Sequence, residues 1–144
     1  MPRPPLYHNR IHRIEGLVNT KKLDYLFLSH NQIKKIEALE QLTQLKELHL
    51  TKNLIVKIER LSHLTRLEAL YIAENPISKI EGLEKLVNLH TLGLSDNQIE
   101  KLEGLGHFAN LKTLYIGGNK FPAIPGLDLA NAQAVVRYCR EHGL

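Results

Sequence analysis

The side chains in this sequence that could bind a metal ion or act as a base include eight histidines and one cysteine, Cys139. His8 and His30 stand 22 residues apart, but the matching positions further along are Lys52 and Glu74. Since no third imidazole completes a set of ligands, we predict no metal site. No motif places a base near Cys139, so we interpret it as a small buried apolar group and not as a nucleophile.

Two other patterns resemble parts of active sites but lack the surroundings that such sites need. Ser29, Thr51 and Ser95 are predicted to point outward from a sheet, yet none has a histidine and a carboxylate ordered beside it. Residues 104–109, Gly-Leu-Gly-His-Phe-Ala, match the G-x-G-x-x-A form of a dinucleotide site, but no β-α-β unit surrounds them. We therefore predict that the protein is not an enzyme, with no catalytic residue and no cofactor.

The composition is that of a folded, water-soluble chain. It is 43% hydrophobic, 24% charged and 6% aromatic, and no apolar run approaches the roughly 20 residues that a spanning helix needs. The single cysteine excludes an intramolecular disulfide, and the start MPRPPLYH lacks the apolar core of a signal peptide. We expect a cytoplasmic monomer that does not enter a membrane.

A period of 22 residues organises nearly the whole chain. Apolar residues recur in the pattern LxxLxxLxLxxNxIxxIxxL, whose LxL part alternates with a period of two, as in a strand with one buried face. The remaining apolar residues are spaced by three, as in tight helical turns. Each unit is therefore predicted to form one strand and one return, stacked on the next unit in a solenoid. The asparagines that mark the period are Asn9, Asn31, Asn53, Asn75, Asn97 and Asn119.

This pattern resembles the leucine-rich repeat, and the Ile-x-x-Ile-x-x-Leu that follows the asparagine is similar to the 22-residue subclass that includes the regulatory subunit of protein phosphatase 1. The resemblance implies an α/β repeat, a leucine-rich-repeat solenoid with a parallel sheet on its concave face and short 3-10 or irregular returns on its convex face. Relatives of this subclass attach to phosphatases, dynein heavy chains or splicing proteins. The resemblance thus implies that this chain is a scaffold or regulatory subunit that binds another protein.

The ends of the chain depart from the repeat, as the exposed ends of a solenoid core require. We predict a proline-rich N-terminal arm at 1–5, about six repeats at 6–127 and a C-terminal capping helix within 128–144. Asn131 is the predicted N-cap of that helix, and Gly143 is the predicted residue just past its end. The residues expected to cover the last coil are Val135, Val136, Cys139 and Tyr138.

The columns of asparagine and of charge receive structural interpretations. An asparagine that follows a buried strand can bond to backbone groups that the turn leaves unpaired, so we assign this column to the scaffold. Basic and acidic columns run side by side, and we predict a solvent-exposed ladder of ion pairs within each coil. The bases are Arg13, Lys35, Lys57, Lys79 and Lys101, and the acids are Glu15, Glu37, Glu59, Glu81 and Glu103.

The candidate binding site consists of residues that the repeat does not require. Five of the eight aromatic residues fall on the concave face, Tyr7 among them, and tyrosine is enriched among interface anchors. Packing between coils would explain Tyr25 and Phe27 but not Tyr71 and Tyr115, which stand alone in sequence. Gly93, Gly117 and Gly118 are predicted to leave the surface low. The predicted partner-binding residues are Tyr25, Phe27, His49, Lys52, Tyr71, Glu74, Asp96 and Tyr115.

Two functions follow from these features. The first is a non-enzymatic module that binds a segment or surface of another protein in its concave trough. The alternative is binding of nucleic acid or another polyanion through the N-terminal end, since residues 1–36 contain seven Lys or Arg against two acids. Lys35 is expected to face Glu37 in its own coil, which weakens this alternative.

Overall fold

The computed structural model describes residues 9–144, and the strands in this range form one parallel five-stranded sheet. The strands are adjacent in chain order and in direct register, so that Leu26 pairs with Leu48, 22 residues later. The predicted parallel-sheet solenoid is confirmed. The strand expected in the first unit, Tyr7 and the proline-rich arm lie outside the described residues. The strands are β1 (Tyr25–Phe27), β2 (Glu47–His49), β3 (Ala69–Tyr71), β4 (Thr91–Gly93) and β5 (Thr113–Tyr115).

The leucine columns form the core because every second strand residue points into the coil. The central leucines of the strands, such as Leu48 and Leu70, are inaccessible to solvent. Backbone bonds continue past the strand ends, where Leu50 N–H donates to Tyr71 O at 2.7 Å. The returns consist of successive turns with bonds between residues three apart, such as Leu45 N–H to Leu42 O at 3.0 Å. They match the predicted short, 3-10-like returns.

The asparagine column bonds to backbone groups of the turn, as predicted, and it also ties neighbouring coils together. Asn53 is buried, and its Oδ1 accepts the backbone N–H of Ile33 at 3.0 Å. Its Nδ2 donates to Leu28 O in the preceding coil and to Leu50 O in its own coil, both at 3.0 Å. Asn75 and Asn97 repeat this arrangement. The sheet ends within the coil at this column, and the asparagine amides satisfy the backbone groups released there.

The predicted ladder of ion pairs is wrong for most of its length. Within residues 9–144, this column forms only Arg13–Glu37, which joins two coils at 3.0 Å, and Lys79–Glu81 at 3.9 Å. Glu37 therefore pairs with Arg13 and not with Lys35. Exposed lysines gain little from such pairs and lose side-chain freedom by making them, which explains why few of the predicted pairs form.

The helix α1 (Ala132–Glu141) caps the C-terminal end of the solenoid, as predicted. The side chain of Asn131 accepts the N–H of Ala134 at 3.0 Å and so acts as the N-cap. At the other end Gly143 has a φ of +66°, and Leu144 N–H donates to Cys139 O at 2.8 Å. This left-handed residue followed by a bond back into the last turn is the Schellman type of helix end.

The buried face of α1 replaces the missing next repeat. Val135, Val136 and Cys139 are inaccessible to solvent, and burial raises the pKa of the Cys139 thiol, which keeps it protonated. Gln133 stands where the repeat places leucine, and its amide donates to Leu111 O at 2.7 Å. Gln133 therefore supplies a hydrogen-bond donor to a backbone carbonyl of the last coil. In the middle of the solenoid, the next repeat would cover this carbonyl.

A second 22-residue column, at the start of each return, has left-handed backbone geometry. The sequence places glycine at four of these six positions, and φ there lies between +58° and +80°. A Cβ added to Gly82 would lie 2.6 Å from the carbonyl oxygen of Ile58, whereas one added to Gly16 would meet nothing within 4 Å. The column is Gly16, Ala38, Arg60, Gly82, Gly104 and Gly126.

This difference predicts unequal costs for the same substitution. Gly16→Ala introduces only the strain of a left-handed alanine, about 1 kcal/mol. Gly82→Ala adds a collision with backbone that cannot rotate away, and we expect a total loss of about 3 kcal/mol of unfolding free energy. Urea denaturation of the two variants measures the difference. Equal losses would mean that the coils can separate locally without cost.

Candidate functional site

The face of the sheet that points away from the core, called the concave face here, presents the predicted aromatic residues. Tyr25, Phe27 and Tyr115 are 49%, 44% and 55% exposed, although side chains of this size are usually more deeply buried. Their positions follow from the strand alternation, since they flank the buried leucines. Direct register places Phe27, His49, Tyr71, Gly93 and Tyr115 in one line across the five strands.

Four rings in the first three coils form a continuous stack. The ring centroids of Tyr25 and Phe27 are 6.4 Å apart, and those of Phe27 and His49 are 4.5 Å apart. His49 lies against Tyr71 with 4.5 Å between centroids and 21° between ring planes. Tyr71 is therefore not isolated, contrary to the prediction, because the imidazole of His49 bridges it to Phe27. A histidine between two aromatic positions was the signal in the sequence that could have revealed this contact.

Glu47 belongs to this cluster, although the predicted site omitted it. Its Oε2 lies 3.0 Å from Nε2 of His49, which is two residues further along β2 and on the same face. This contact fixes the orientation of the imidazole between its neighbours. Burial, and secondarily the charge of Glu47 and the nearby Tyr115, raises the pKa of Tyr71. The phenol of Tyr71 thus remains a hydrogen-bond donor throughout the physiological pH range.

The glycines do not lower the surface as predicted, with one exception. The ring of Tyr71 lies over Gly93, where an added Cβ would be 3.3 Å from its Cδ1. The carboxylate of Asp96 covers Gly118 and would collide with a Cβ there. A Cβ on Gly117 would meet nothing within 4 Å. Gly117 is therefore the open part of this floor, two residues past Tyr115 and bonded through its carbonyl to the backbone N–H of Asp96 at 2.9 Å.

The charged column of the predicted site lies at the end of the strands, beside the asparagines. Lys52, Glu74 and Asp96 are exposed, and no oppositely charged group among residues 9–144 lies within 4.0 Å of them. Each has a left-handed backbone, with φ of 58°, 53° and 56°. His30 and Gly118 share this geometry, so it belongs to the turn and not to one residue. Periodicity alone gave no sign of it.

Metal ligation finds no support in the geometry of the described part. Over residues 9–144, no three His, Cys, Asp or Glu side chains lie close enough together to hold a metal ion. His8, one of the histidines weighed from the sequence, lies outside this range. In the same range, no helix has the length and apolar character needed to cross a bilayer. What the concave face offers is a surface of stacked rings bordered by charged and small residues.

Comparison with protein families identifies the family to which the repeat pattern belongs. The family model described as "Leucine Rich repeats (2 copies)" matches this chain four times in overlapping windows, at residues 21–64, 43–85, 65–107 and 87–129. Together these windows cover most of the chain, including all five strands. A comparison with curated proteins gave no match.

Solved structures of bacterial repeat proteins are similar to this chain. Internalin C2 of Listeria monocytogenes is 32% identical with a TM-score of 0.72, over 82% of this chain and 52% of that one. The internalin inlF of the same species is 28% identical with a TM-score of 0.71, over 80% and 34%. A leucine-rich repeat protein of Leptospira interrogans is 29% identical with a TM-score of 0.70, over 81% and 31%. The match thus spans about a third to a half of each of these structures.

Proposed function

This chain belongs to the leucine-rich repeat family, and from that premise we propose that it is a non-enzymatic module that binds another protein on its concave face. Leucine-rich repeat domains generally mediate protein–protein interaction, and stacked repeats provide an extended inner surface for it. The observation that carries the proposal is the exposure of Tyr25, Phe27 and Tyr115 on that face. The core does not use these rings, and aromatic residues supply most of the binding energy in many interfaces.

The proposed site comprises an aromatic part and a charged part. The stack from Tyr25 to Tyr71, with Tyr115 beyond it, would bury the apolar area of the partner, and the phenol of Tyr71 can donate a hydrogen bond to it. Lys52, Glu74 and Asp96 would set the direction of the bound segment, since their charge changes sign along the column. His49 supports the rings on both sides and completes the site.

Finer features of the proposal rest on the sequence pattern. The Ile-x-x-Ile-x-x-Leu spacing supports membership of the 22-residue subclass, and with it a role as a regulatory or adaptor subunit. The single, buried cysteine agrees with a cytoplasmic protein that acts as a monomer. We do not extend the proposal to nucleic-acid or polyanion binding through the basic N-terminal end, because Arg13, one of the seven bases of residues 1–36, already pairs with Glu37 at 3.0 Å.

A steric block at the floor of the concave face tests the proposal. Gly117→Gln should leave folding intact, since its φ is not left-handed and the space above it is open, yet the new side chain would occupy the binding surface. Val87→Gln is the matched control, because Val87 is 54% exposed on a return. We expect affinity capture with mass spectrometry to lose the partner with Gly117→Gln and to keep it with Val87→Gln. The reverse pattern would place the interface elsewhere.

A further inference from the structure

We propose that the concave face selects a basic segment of its partner and seats an arginine side chain over Gly117; this inference rests on the proposed function. The first support is the separation of charge within the chain. In the five described coils, the concave face carries Glu47, Glu74 and Asp96 against Lys52. This face has a net charge of −2 with histidines neutral, whereas the whole chain has +4 and the remainder therefore +6.

The columns that border the face do not cancel this difference. At the start of the strands, Asp24 and Glu68 balance Lys46 and Lys112. Beyond the asparagines, the bordering column of these five coils is neutral in the first four and carries Lys120 in the last, which leaves the acidic residues of the third and fourth coils unopposed. A basic segment would consequently meet an acidic surface in the middle of the trough, and an acidic segment would be repelled there.

The carboxylates of this surface differ in whether a basic side chain lies close to them. Glu47 bonds to His49 at 3.0 Å. Glu74 and Asp96 are exposed, and no Lys, Arg or His nitrogen of residues 9–144 lies within 4.0 Å of either. Lys52 stands one coil before Glu74, on the side away from Asp96. The strongest unpaired negative charge on this face is therefore at the third and fourth coils.

An arginine fits the space next to this charge. Tyr115 and Gly117 lie two residues apart on the same face, about 7 Å along the chain, so a cation placed between them falls within the range of about 6 Å from the ring centroid in which an aromatic ring attracts a cation. The carboxylate of Asp96 lies against Gly118, the next residue. A guanidinium group beside Gly117 can thus contact the ring of Tyr115 and donate to the carboxylate of Asp96.

Arginine suits this position better than lysine for two reasons. Its planar guanidinium can lie flat on the exposed ring of Tyr115 while its edge donates to a carboxylate. It also gives up less hydration than an ammonium group when one side is covered by a ring. Pairing with an exposed carboxylate would add a charge-assisted bond whose strength falls with rising salt.

Selection from a random library of 12-residue displayed peptides tests this inference on the full chain. We expect the peptides whose binding is blocked by Gly117→Gln to be enriched in arginine over the unselected library. Replacing the enriched arginine by citrulline, which is neutral, should weaken the Kd of a selected peptide about tenfold. Glu74→Gln with Asp96→Asn should weaken it about 3- to 30-fold at low salt and less at high salt.

The control removes the same charge away from the face. Glu40→Gln with Glu100→Gln alters two exposed acids of the returns and should change the Kd less than twofold. If the peptides blocked by Gly117→Gln are neutral or acidic, or if the two acid pairs have equal effects, the basic partner is excluded while concave binding stands. If no selected peptide is blocked by Gly117→Gln, both the inference and the proposed function fail.

Discussion

Asn75→Ala should destabilise the fold by about 3 kcal/mol, because it leaves a buried backbone N–H without a partner. Oδ1 of Asn75 accepts the N–H of Ile55 at 3.0 Å, and Ile55 is inaccessible to solvent. The three carbonyls that receive its Nδ2 keep other donors; Leu50 O, for example, still accepts from Asn53 at 3.0 Å. The orphaned N–H therefore accounts for about 1–3 kcal/mol, and the lost amide bonds and the cavity for the rest.

An exposed asparagine supplies the comparison for this variant. Asn88 also joins two coils, since its Nδ2 donates to Thr65 O at 2.8 Å, but it lies on the surface where water can replace it. Asn88→Ala should cost less than about 1 kcal/mol. The midpoint and slope of urea unfolding measure both variants. Similar small losses for the two would show that the buried column contributes little to holding the coils together.

Phe27→Ala combined with Tyr115→Ala should weaken partner binding about 30-fold or more, because these exposed rings are the anchors of the proposed interface. The expected cost in stability is smaller, about 1 kcal/mol, since Phe27 loses its contact with His49 and Tyr115 is 55% exposed. Tyr71 is a poorer choice for this test, because its ring covers Gly93 and stacks on His49. Its removal would change packing and binding together.

Calorimetry with the captured partner, together with thermal unfolding, separates these two effects. Val18→Ala with Val56→Ala provides the control, because both valines are 62% exposed and lie away from the strands. We expect this pair to leave the Kd within about twofold. If the aromatic pair lost binding only in proportion to a loss of folded protein, the rings would be packing residues and not anchors.

The 22-residue pattern predicted the backbone architecture well, because burial imposes it at every coil. Leu48 and Leu70 occupy equivalent positions since both must point into the same core, and Asn53 and Asn75 must satisfy the same turn. The capping helix could also be predicted, because the apolar columns stop after Leu127 and an N-cap follows. Burial of the leucines and hydrogen bonding of the asparagines are required in the same way in every coil, so the sequence shows them as a period.

Contacts on the surface were harder to predict, because they depend on which rotamers neighbouring coils select. The pattern placed Tyr71 on the concave face, but it did not indicate that His49 would bridge it to Phe27. Glu37 reached Arg13 in the preceding coil in place of Lys35 in its own. Gly93 and Gly118 looked open in sequence, yet side chains of adjacent coils lie over both. The rotamers of these surface side chains differ little in free energy, so the 22-residue pattern does not determine which one is adopted.

Site-specific photo-crosslinking tests most directly whether the partner rests on the concave face. A photoreactive phenylalanine analogue would replace Tyr115 in one protein and Val87 in another, two residues of similar exposure at a strand and at a return. We predict that position 115 forms a covalent adduct with the captured partner and that position 87 does not. An adduct at position 87 without one at position 115 would contradict the account.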